Sequence, residues 1–343
     1  MQALILAGGE GTRLRPLTST IPKPVVPLAD RPFIAYMIEW LRRHGVEDVI
    51  LACGFMAADV REVLGDGAAL GVRLRYVEEP RPLGTGGALK YAQELLDERF
   101  LMLNGDVLTD IDLTAQLEQH ERTGARATLA LVAVDDPSAY GLVRLAGDRA
   151  VTEFLEKPEQ SSIDTNLINA GAYVLERDVL EEMPAAGTNV SIERDVFPRL
   201  VGRGLFGHPS GGYWLDIGTP ERYLQGTFDI VRGAVETPVP VHPDGVLVLD
   251  GTQVAESAAL GPNVVVWPGV SVGDGAVIER SVLLKDASVG ASCTVRDSIV
   301  GPHARIGDGC ELELAVLGAG TEVEARSKLE VGARIFPDVM SER

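Results

Sequence analysis

The chain has 343 residues, too many for one ordinary hydrophobic core, so two domains are expected. Hydrophobic residues make up 45% of it and aromatics 5%, beside 38 glycines and 20 prolines, a composition that fits a folded protein with many tight turns. The net charge of −19, with no basic run, argues against a nucleic-acid partner, and any bound polyphosphate must meet locally placed cations.

No apolar run reaches membrane-spanning length, and no basic leader with a cleavage site opens the sequence. No membrane partner and a cytoplasmic location are therefore expected. Cys53, Cys293 and Cys310 form no CxxC pair and read as structural thiols, and the five histidines show no ligand spacing.

In chain order, residues 3–6 are a short apolar run that ends in glycines. Ile34, Met37, Ile38 and Leu41 fall on one helix face, which Gly45 terminates. Residues 49–52 are strand-like, 73–77 alternate with period two, 88–96 look helical, and 100–103 form another buried strand. This alternation predicts an α/β domain with a Rossmann-like mixed, mostly parallel sheet, whose ligands bind beyond the carboxyl ends of the strands. The glycine loop after Leu6 and the Asn104-Gly105-Asp106 turn after Leu103 sit at such ends.

Past about residue 245 the helical pattern stops. Aliphatics recur at Val266, Val272, Ile278, Leu283, Val289, Val295, Val300, Ile306, Leu312, Leu317, Val323 and Leu329, in steps of 6, 6 and 5 residues. Three steps make a 17-residue coil, which predicts a left-handed parallel β-helix of hexapeptide repeats. Gly273, Gly290, Gly301, Gly307 and Gly318 follow these aliphatics, where tight corners are expected. The predicted domains are 1–235, a linker at 236–250 around Pro238, Pro240 and Pro243, and the β-helix at 251–343. His303 is the only histidine in the repeat and the coils lack long insertions, so the β-helix reads as a structural or homo-oligomerising module rather than an acyltransferase.

The chemistry-bearing residues begin with the loop Leu6, Ala7, Gly8, Gly9, Gly11, Thr12 and Arg13. Glycines let backbone N–H groups approach phosphate oxygens, and Arg13 adds a forked cation. The loop is neither the Walker pattern nor the dinucleotide GxGxxG, and alone it could be a plain strand-to-helix turn. Lys23, between Pro22 and Pro24, is expected on a stiff extended segment, exposed and carrying little packing. Asp106 suits Mg2+, which needs only one or two carboxylates, or else serves as a helix N-cap or turn residue. Asp216 could be a second carboxylate, or cap the helix beginning near Pro220. Glu156 and Lys157 end a strand and would point to opposite sides unless it bends; a surface ion pair is the alternative. Asn169 could bind sugar hydroxyls or stabilise a turn.

In this order and spacing, the segments resemble the sugar-phosphate nucleotidyltransferase (NDP-sugar pyrophosphorylase) family over residues 2–232. The resemblance implies Mg2+ dependence and small-molecule substrates, a nucleoside triphosphate and a sugar 1-phosphate. It implies that Arg13 and Lys23 hold the triphosphate, Asp106 and Asp216 the metal, and Lys157 the sugar phosphate, with Gly141, Glu156 and Asn169 beside the sugar. Glu79, Gly84, Thr85 and Gly86 match the base-reading stretch, where glycines would bring backbone groups to the base edge. Glu79 stands where thymidylyl- and uridylyl-transferring members carry glutamine. A carboxylate suits the neighbouring N1–H and N2–H donors of guanine, so GTP is expected. A guanine reader with a hexapeptide tail implies the branch acting on mannose 1-phosphate, with heptose 1-phosphate guanylyl transfer and glucose-1-phosphate thymidylyl transfer as alternatives. A regulatory, non-catalytic relative would be expected to lack one of these cations or aspartates, and all are present.

Overall fold

The computed structural model describes residues 1–337. Met1–Gly9 and Met37–Trp214 form one compact unit, and Glu10–Tyr36 joins the residues from Leu215 onward in a second. The predicted division had placed residues 10–36 and 215–235 with the catalytic domain. Among the described residues, no helix is long and apolar enough to cross a membrane.

The first unit holds a nine-stranded sheet. Its strands are β1 (Gln2–Leu6), β2 (Asp48–Cys53), β3 (Arg73–Glu78), β4 (Arg99–Asn104), β5 (Ala127–Ala133), β6 (Gly141–Leu145), β7 (Val151–Glu156), β8 (Leu167–Glu176) and β9 (Leu205–Pro209). The main path runs β7-β6-β8-β4-β1-β2-β3, with β5 paired to β8 and β9 to β5. The β4, β1, β2 and β3 strands are parallel, and β8 joins β4 antiparallel. The helices that follow in this account are α1 (Phe33–Arg43), α2 (Ala57–Leu64), α3 (Gly84–Tyr91), α4 (Leu113–Thr123) and α5 (Pro220–Val231).

The strands form where the sequence is continuously apolar, because both faces of the sheet are covered. Leu4, Ile50, Phe100, Met102 and Tyr173 are fully buried in one cluster with Phe197 and Ile192. Burying side chains of this size contributes about 1.5–3 kcal/mol each. Leu6 lies opposite both Ala52 and Asn104, so the loop after β1, Gly54 after β2 and Asp106 after β4 share one edge of the sheet.

In the second unit, three parallel sheets wrap into the β-helix. Val265, Val282, Ile299 and Val316 stack 17 residues apart, while the first and last coils are one residue longer, pairing Val246 with Val264 and Val316 with Arg334. The first coil strand, Val246–Val248, thus begins inside the stretch expected to be linker. The predicted aliphatics point inward, Leu329 only partly. The corners differ from expectation. Gly273, Gly290, Gly301, Gly307 and Gly318 do not take left-handed φ; a Cβ there would press on the next coil. Left-handed φ falls on other glycines, among them Gly269, Gly275, Gly309 and Gly320, and on non-glycine residues such as Asn263, Arg280, Asp297 and Leu314. Cys53, Cys293 and Cys310 are buried free thiols.

Candidate active site

In the first unit, a cavity of about 270 Å³ opens beside the end of β1, lined by Leu6, Gly8, Gly9, Glu79, Leu83, Gly84 and Thr85, among others. Glu79 follows the edge strand β3, and its N–H bonds the Cys53 carbonyl at 2.9 Å. One carboxylate oxygen, Oε2, accepts the Leu83 N–H at 3.0 Å. The other, Oε1, lies over Gly8, where any Cβ would sit 3.1 Å from it. Burial pushes the Glu79 carboxyl above the ordinary carboxylate range, and the Leu83 bond partly opposes that. A half-buried two-oxygen acceptor therefore faces this cavity at a fixed height.

The neighbouring glycines do something other than expected. The predicted helix at 88–96 starts earlier, at Gly84, and its tail is a 3-10 turn, Gln93–Leu95. The Gly86 and Gly87 N–H groups both bond the Val190 carbonyl, at 2.9 and 3.1 Å. They are not presented to a base, and Gly86 is not among the cavity-lining residues. Their lack of side chains instead admits residues 188–192, since a Cβ on Gly87 would collide with the Thr188 carbonyl. Thr85 lines the cavity, but its hydroxyl donates to Glu193 at 2.7 Å and accepts the Ile192 N–H. Ala7 is buried, its N–H bonded to the Ala52 carbonyl, so it anchors the loop.

Glu193 belongs to a segment not anticipated from the sequence. It lies in the π-helical turn Ile192–Val196, which Ser191 caps. The signal was present: a capping serine followed by Ile192, Val196 and Leu200 at helical spacing.

Glu156 ends β7 with its carboxylate against Gly141, where a Cβ would come within 3.0 Å of Oε2. Burial first, then the charge of Glu193, raises the Glu156 carboxyl; Lys157 and Arg194 pull it back. The backbone bends at Lys157, the condition under which Glu156 and Lys157 need not point to opposite sides. Lys157 has φ 50, its N–H bonds the Tyr140 carbonyl at 3.1 Å, and its side chain is exposed. Tyr140 stands edge-on to Trp214 at 5.3 Å, and the Trp214 indole donates to the Ala170 carbonyl. Asn169 braces the β8 bulge, donating to the Tyr173 hydroxyl at 2.8 Å and accepting the Gly171 N–H at 3.1 Å. Each end of its amide retains capacity for one more bond. Asp106 follows Gly105, whose N–H bonds the Leu6 carbonyl at 2.9 Å. Asp112, not Asp106, caps α4.

The cations of the loop lie in the second unit. Gly11 has φ 63, a conformation glycine reaches without strain. Thr18 donates to its carbonyl at 2.7 Å, and the Lys23 stem packs against it. The exposed residues Thr12 and Arg13 begin a 3-10 turn, Thr12–Leu14. The Arg13 guanidinium lies over Gly218, where a Cβ would come within 2.5 Å of it, and 3.8 Å from Asp216. Arg222 approaches the same carboxylate at 3.4 Å. Thr219 caps α5, accepting the Arg222 N–H, with Pro220 in the first turn. Such a cap contributes about 1 kcal/mol and leaves Asp216 without a capping role. Lys23 departs from expectation. Its segment Lys23–Val25 is a 3-10 turn rather than extended, and Lys23 is only 9% exposed.

Comparison with known proteins identifies the family of the chain. Residues 2–232 match the Nucleotidyl transferase family, and residues 243–338 match the family described as GMPPB C-terminal domain. Mannose-1-phosphate guanylyltransferase of Mycobacterium tuberculosis is 40% identical over 300 residues, 86% of this chain and 83% of that protein. Mannose-1-phosphate guanylyltransferase 1 of Arabidopsis thaliana is 36% identical over 299 residues, 84% of this chain and 81% of that protein. The crystal structure of HddC from Yersinia pseudotuberculosis is 30% identical with a TM-score of 0.59, covering 67% of this chain and 99% of that one. A second structure of HddC holds GMP-PN. The chain therefore belongs to the Nucleotidyl transferase family, with a hexapeptide-repeat domain following its catalytic region.

Proposed function

We propose that this enzyme joins GTP to mannose 1-phosphate, giving GDP-mannose and pyrophosphate. The observation that carries the choice of nucleotide is the Glu79 carboxylate, fixed by Leu83 and lying over Gly8 in the cavity. Guanine offers N1–H and N2–H side by side, and only an acceptor pair receives both. The relatives named mannose-1-phosphate guanylyltransferase, matched over most of the chain, support both nucleotide and sugar.

A sugar-phosphate oxygen forms a bond to the α-phosphorus, and the bond from that phosphorus to the bridging oxygen breaks. Pyrophosphate leaves with the electron pair. The attacking phosphate is already anionic, so no side-chain base is required. Catalysis then rests on orientation and charge neutralisation. Arg13 and Lys23 hold the triphosphate, Lys157 holds the sugar phosphate, and Glu156 with Asn169 receives sugar hydroxyls over Gly141.

The carboxylate chemistry of Asp106 and Asp216 suits Mg2+. Among the described residues no three His, Cys, Asp or Glu gather into a metal cage. Asp106 and Asp216 would supply single carboxylates to an ion that otherwise keeps waters and phosphate oxygens. When bound, it would neutralise phosphate charge. A matrix of triphosphates against sugar 1-phosphates, read by pyrophosphate release, tests the proposal. GTP with mannose 1-phosphate should give the highest kcat/KM; a higher value for dTTP or for a heptose 1-phosphate would replace it.

A further inference from the structure

The last described coil of the β-helix reaches the phosphate loop. Arg334 lies in the coil strand Arg334–Ile335, which pairs with Val316–Leu317. Its guanidinium Nη1 donates to the Arg13 carbonyl at 3.0 Å and also to the Arg15 carbonyl. These are main-chain oxygens at the exit of the Thr12–Leu14 turn, 321 residues away along the chain for Arg13.

The rest of the loop is tied locally. Leu14 N–H bonds the Gly11 carbonyl, Arg15 N–H bonds the Thr12 carbonyl, and the Thr18 hydroxyl bonds Gly11. These bonds close the turn upon itself without anchoring it to distant structure. Arg334 supplies such an anchor, from the end strand of a sheet that pairs with Val316–Leu317, itself paired on its other side to Ile299–Val300. The residue whose carbonyl it takes is Arg13, the cation that lies over Gly218 beside Asp216. Near the same place, Glu221 is held below the ordinary carboxylate range, first by its hydrogen bond with Thr219 and last by the charge of Arg334.

We propose that Arg334 is a positioning residue for the triphosphate: by gripping the Arg13 and Arg15 carbonyls, it fixes the direction in which the Arg13 side chain leaves the loop. The β-helix thereby acts on the nucleotide step as well as on folding. This rests on the reading of Arg13 as a triphosphate ligand. A lysine at 334 would keep the charge, but it lacks the planar fork whose N–H directions are set by the guanidinium.

The test uses full-length protein with Arg334→Ala and Arg334→Lys. Hydrogen exchange over residues 11–16 needs no substrate and should quicken in Arg334→Ala, with the middle coils unchanged. The KM for GTP should rise about tenfold, since small misplacements of a phosphate ligand have effects of this order. The KM for mannose 1-phosphate should stay within about twofold, because its ligands lie elsewhere. Arg334→Lys should fall between wild type and Arg334→Ala in both readouts. Unchanged exchange over 11–16, or a lower kcat with both KM values preserved, overturns the proposal, as does full wild-type behaviour of Arg334→Lys. Absence of wild-type turnover would sink the functional reading instead, while the exchange data would still judge Arg334.

Discussion

Replacing Glu79 with glutamine should reverse the nucleotide preference, and the structure dictates the sign. Oε2 of Glu79 accepts the Leu83 N–H at 3.0 Å. In Glu79→Gln the amide oxygen must keep that position, because an NH2 there would face another N–H. The new NH2 is therefore forced to the Oε1 side, over Gly8 and toward the cavity. Guanine then meets a donor where it presents its own donor. Losing one hydrogen bond to a charged group is worth about 1.5–3 kcal/mol, or about 10- to 150-fold in kcat/KM for GTP. Uracil and thymine gain, because their N3–H meets the amide oxygen and a flanking carbonyl meets the NH2. The assay is pyrophosphate release with GTP, UTP and dTTP at saturating mannose 1-phosphate. A second signature is the acid limb. Burial raises the Glu79 carboxyl above 4.5, so GTP use by the wild type should decline at a higher pH than an ordinary carboxylate would cause. That limb should be missing in Glu79→Gln. Should GTP preference and the acid limb both survive the substitution, Glu79 does not read the base.

The buried stem of Lys23 changes the choice of variant there. Lys23→Met should lose about 100-fold in turnover at nearly unchanged melting temperature, whereas Lys23→Ala should also lose about 1–2 kcal/mol of stability through its missing methylenes; equal melting of the two would refute the packing argument. Glu156 has a folded pKa raised above its unfolded value of 4.5, so its linkage favours folding below pH 4.5 and that benefit is lost as pH rises through the folded value. Glu156→Gln should thus melt at or above the wild type at neutral pH, with the difference vanishing near pH 4.5, while its KM for the sugar phosphate rises; a lower neutral melting temperature would count against burial as the cause. Gly87→Ala places a Cβ against the Thr188 carbonyl and should destabilise by about 1–3 kcal/mol, seen as faster exchange over residues 188–196.

Much of the fold was legible because the sheet strands are short apolar runs and the coils repeat every 17 residues. Local signals gave out where distant packing decided the outcome. Gly84, Gly86 and Gly87 are poor helix formers, and α3 begins there because residues 188–192 cover it. Lys23 looked extended between two prolines, yet Pro24 fits the first turn of a 3-10 helix as readily, and the Gly11 contact buries the lysine stem. Glycines that follow the inward aliphatics lie where neighbouring coils pack closely, while left-handed φ falls on other glycines such as Gly269 and Gly275 and on non-glycine residues. Asn263, Arg280, Asp297 and Leu314 are among the latter, with Arg280 and Asp297 paired through two hydrogen bonds. The places of Asp106, Glu79 and Lys157 just past strands, and of Arg13 in the loop after β1, were readable, but not the partners that orient them.

The candidate residues differ in charge between the two compact units. In the first unit Glu79 and Glu156 are half-buried carboxylates whose pKa values rise, and the exposed cation Lys157 follows Glu156. Such groups suit neutral donors, the N–H edge of a base and sugar hydroxyls, and they would repel phosphate. Arg13, Arg222 and Lys23 instead sit on segments that group with the β-helix. There Asp216 balances two guanidinium groups, which limits the charge left exposed on the loop. At 62% exposure, the 3.8 Å Arg13–Asp216 contact is worth at most about 1 kcal/mol, weak enough for the proposed triphosphate to displace that carboxylate from Arg13. The direction of that exchange is then set less by the ion pair than by the backbone from which Arg13 leaves, and Arg334 holds that backbone from the far end of the chain.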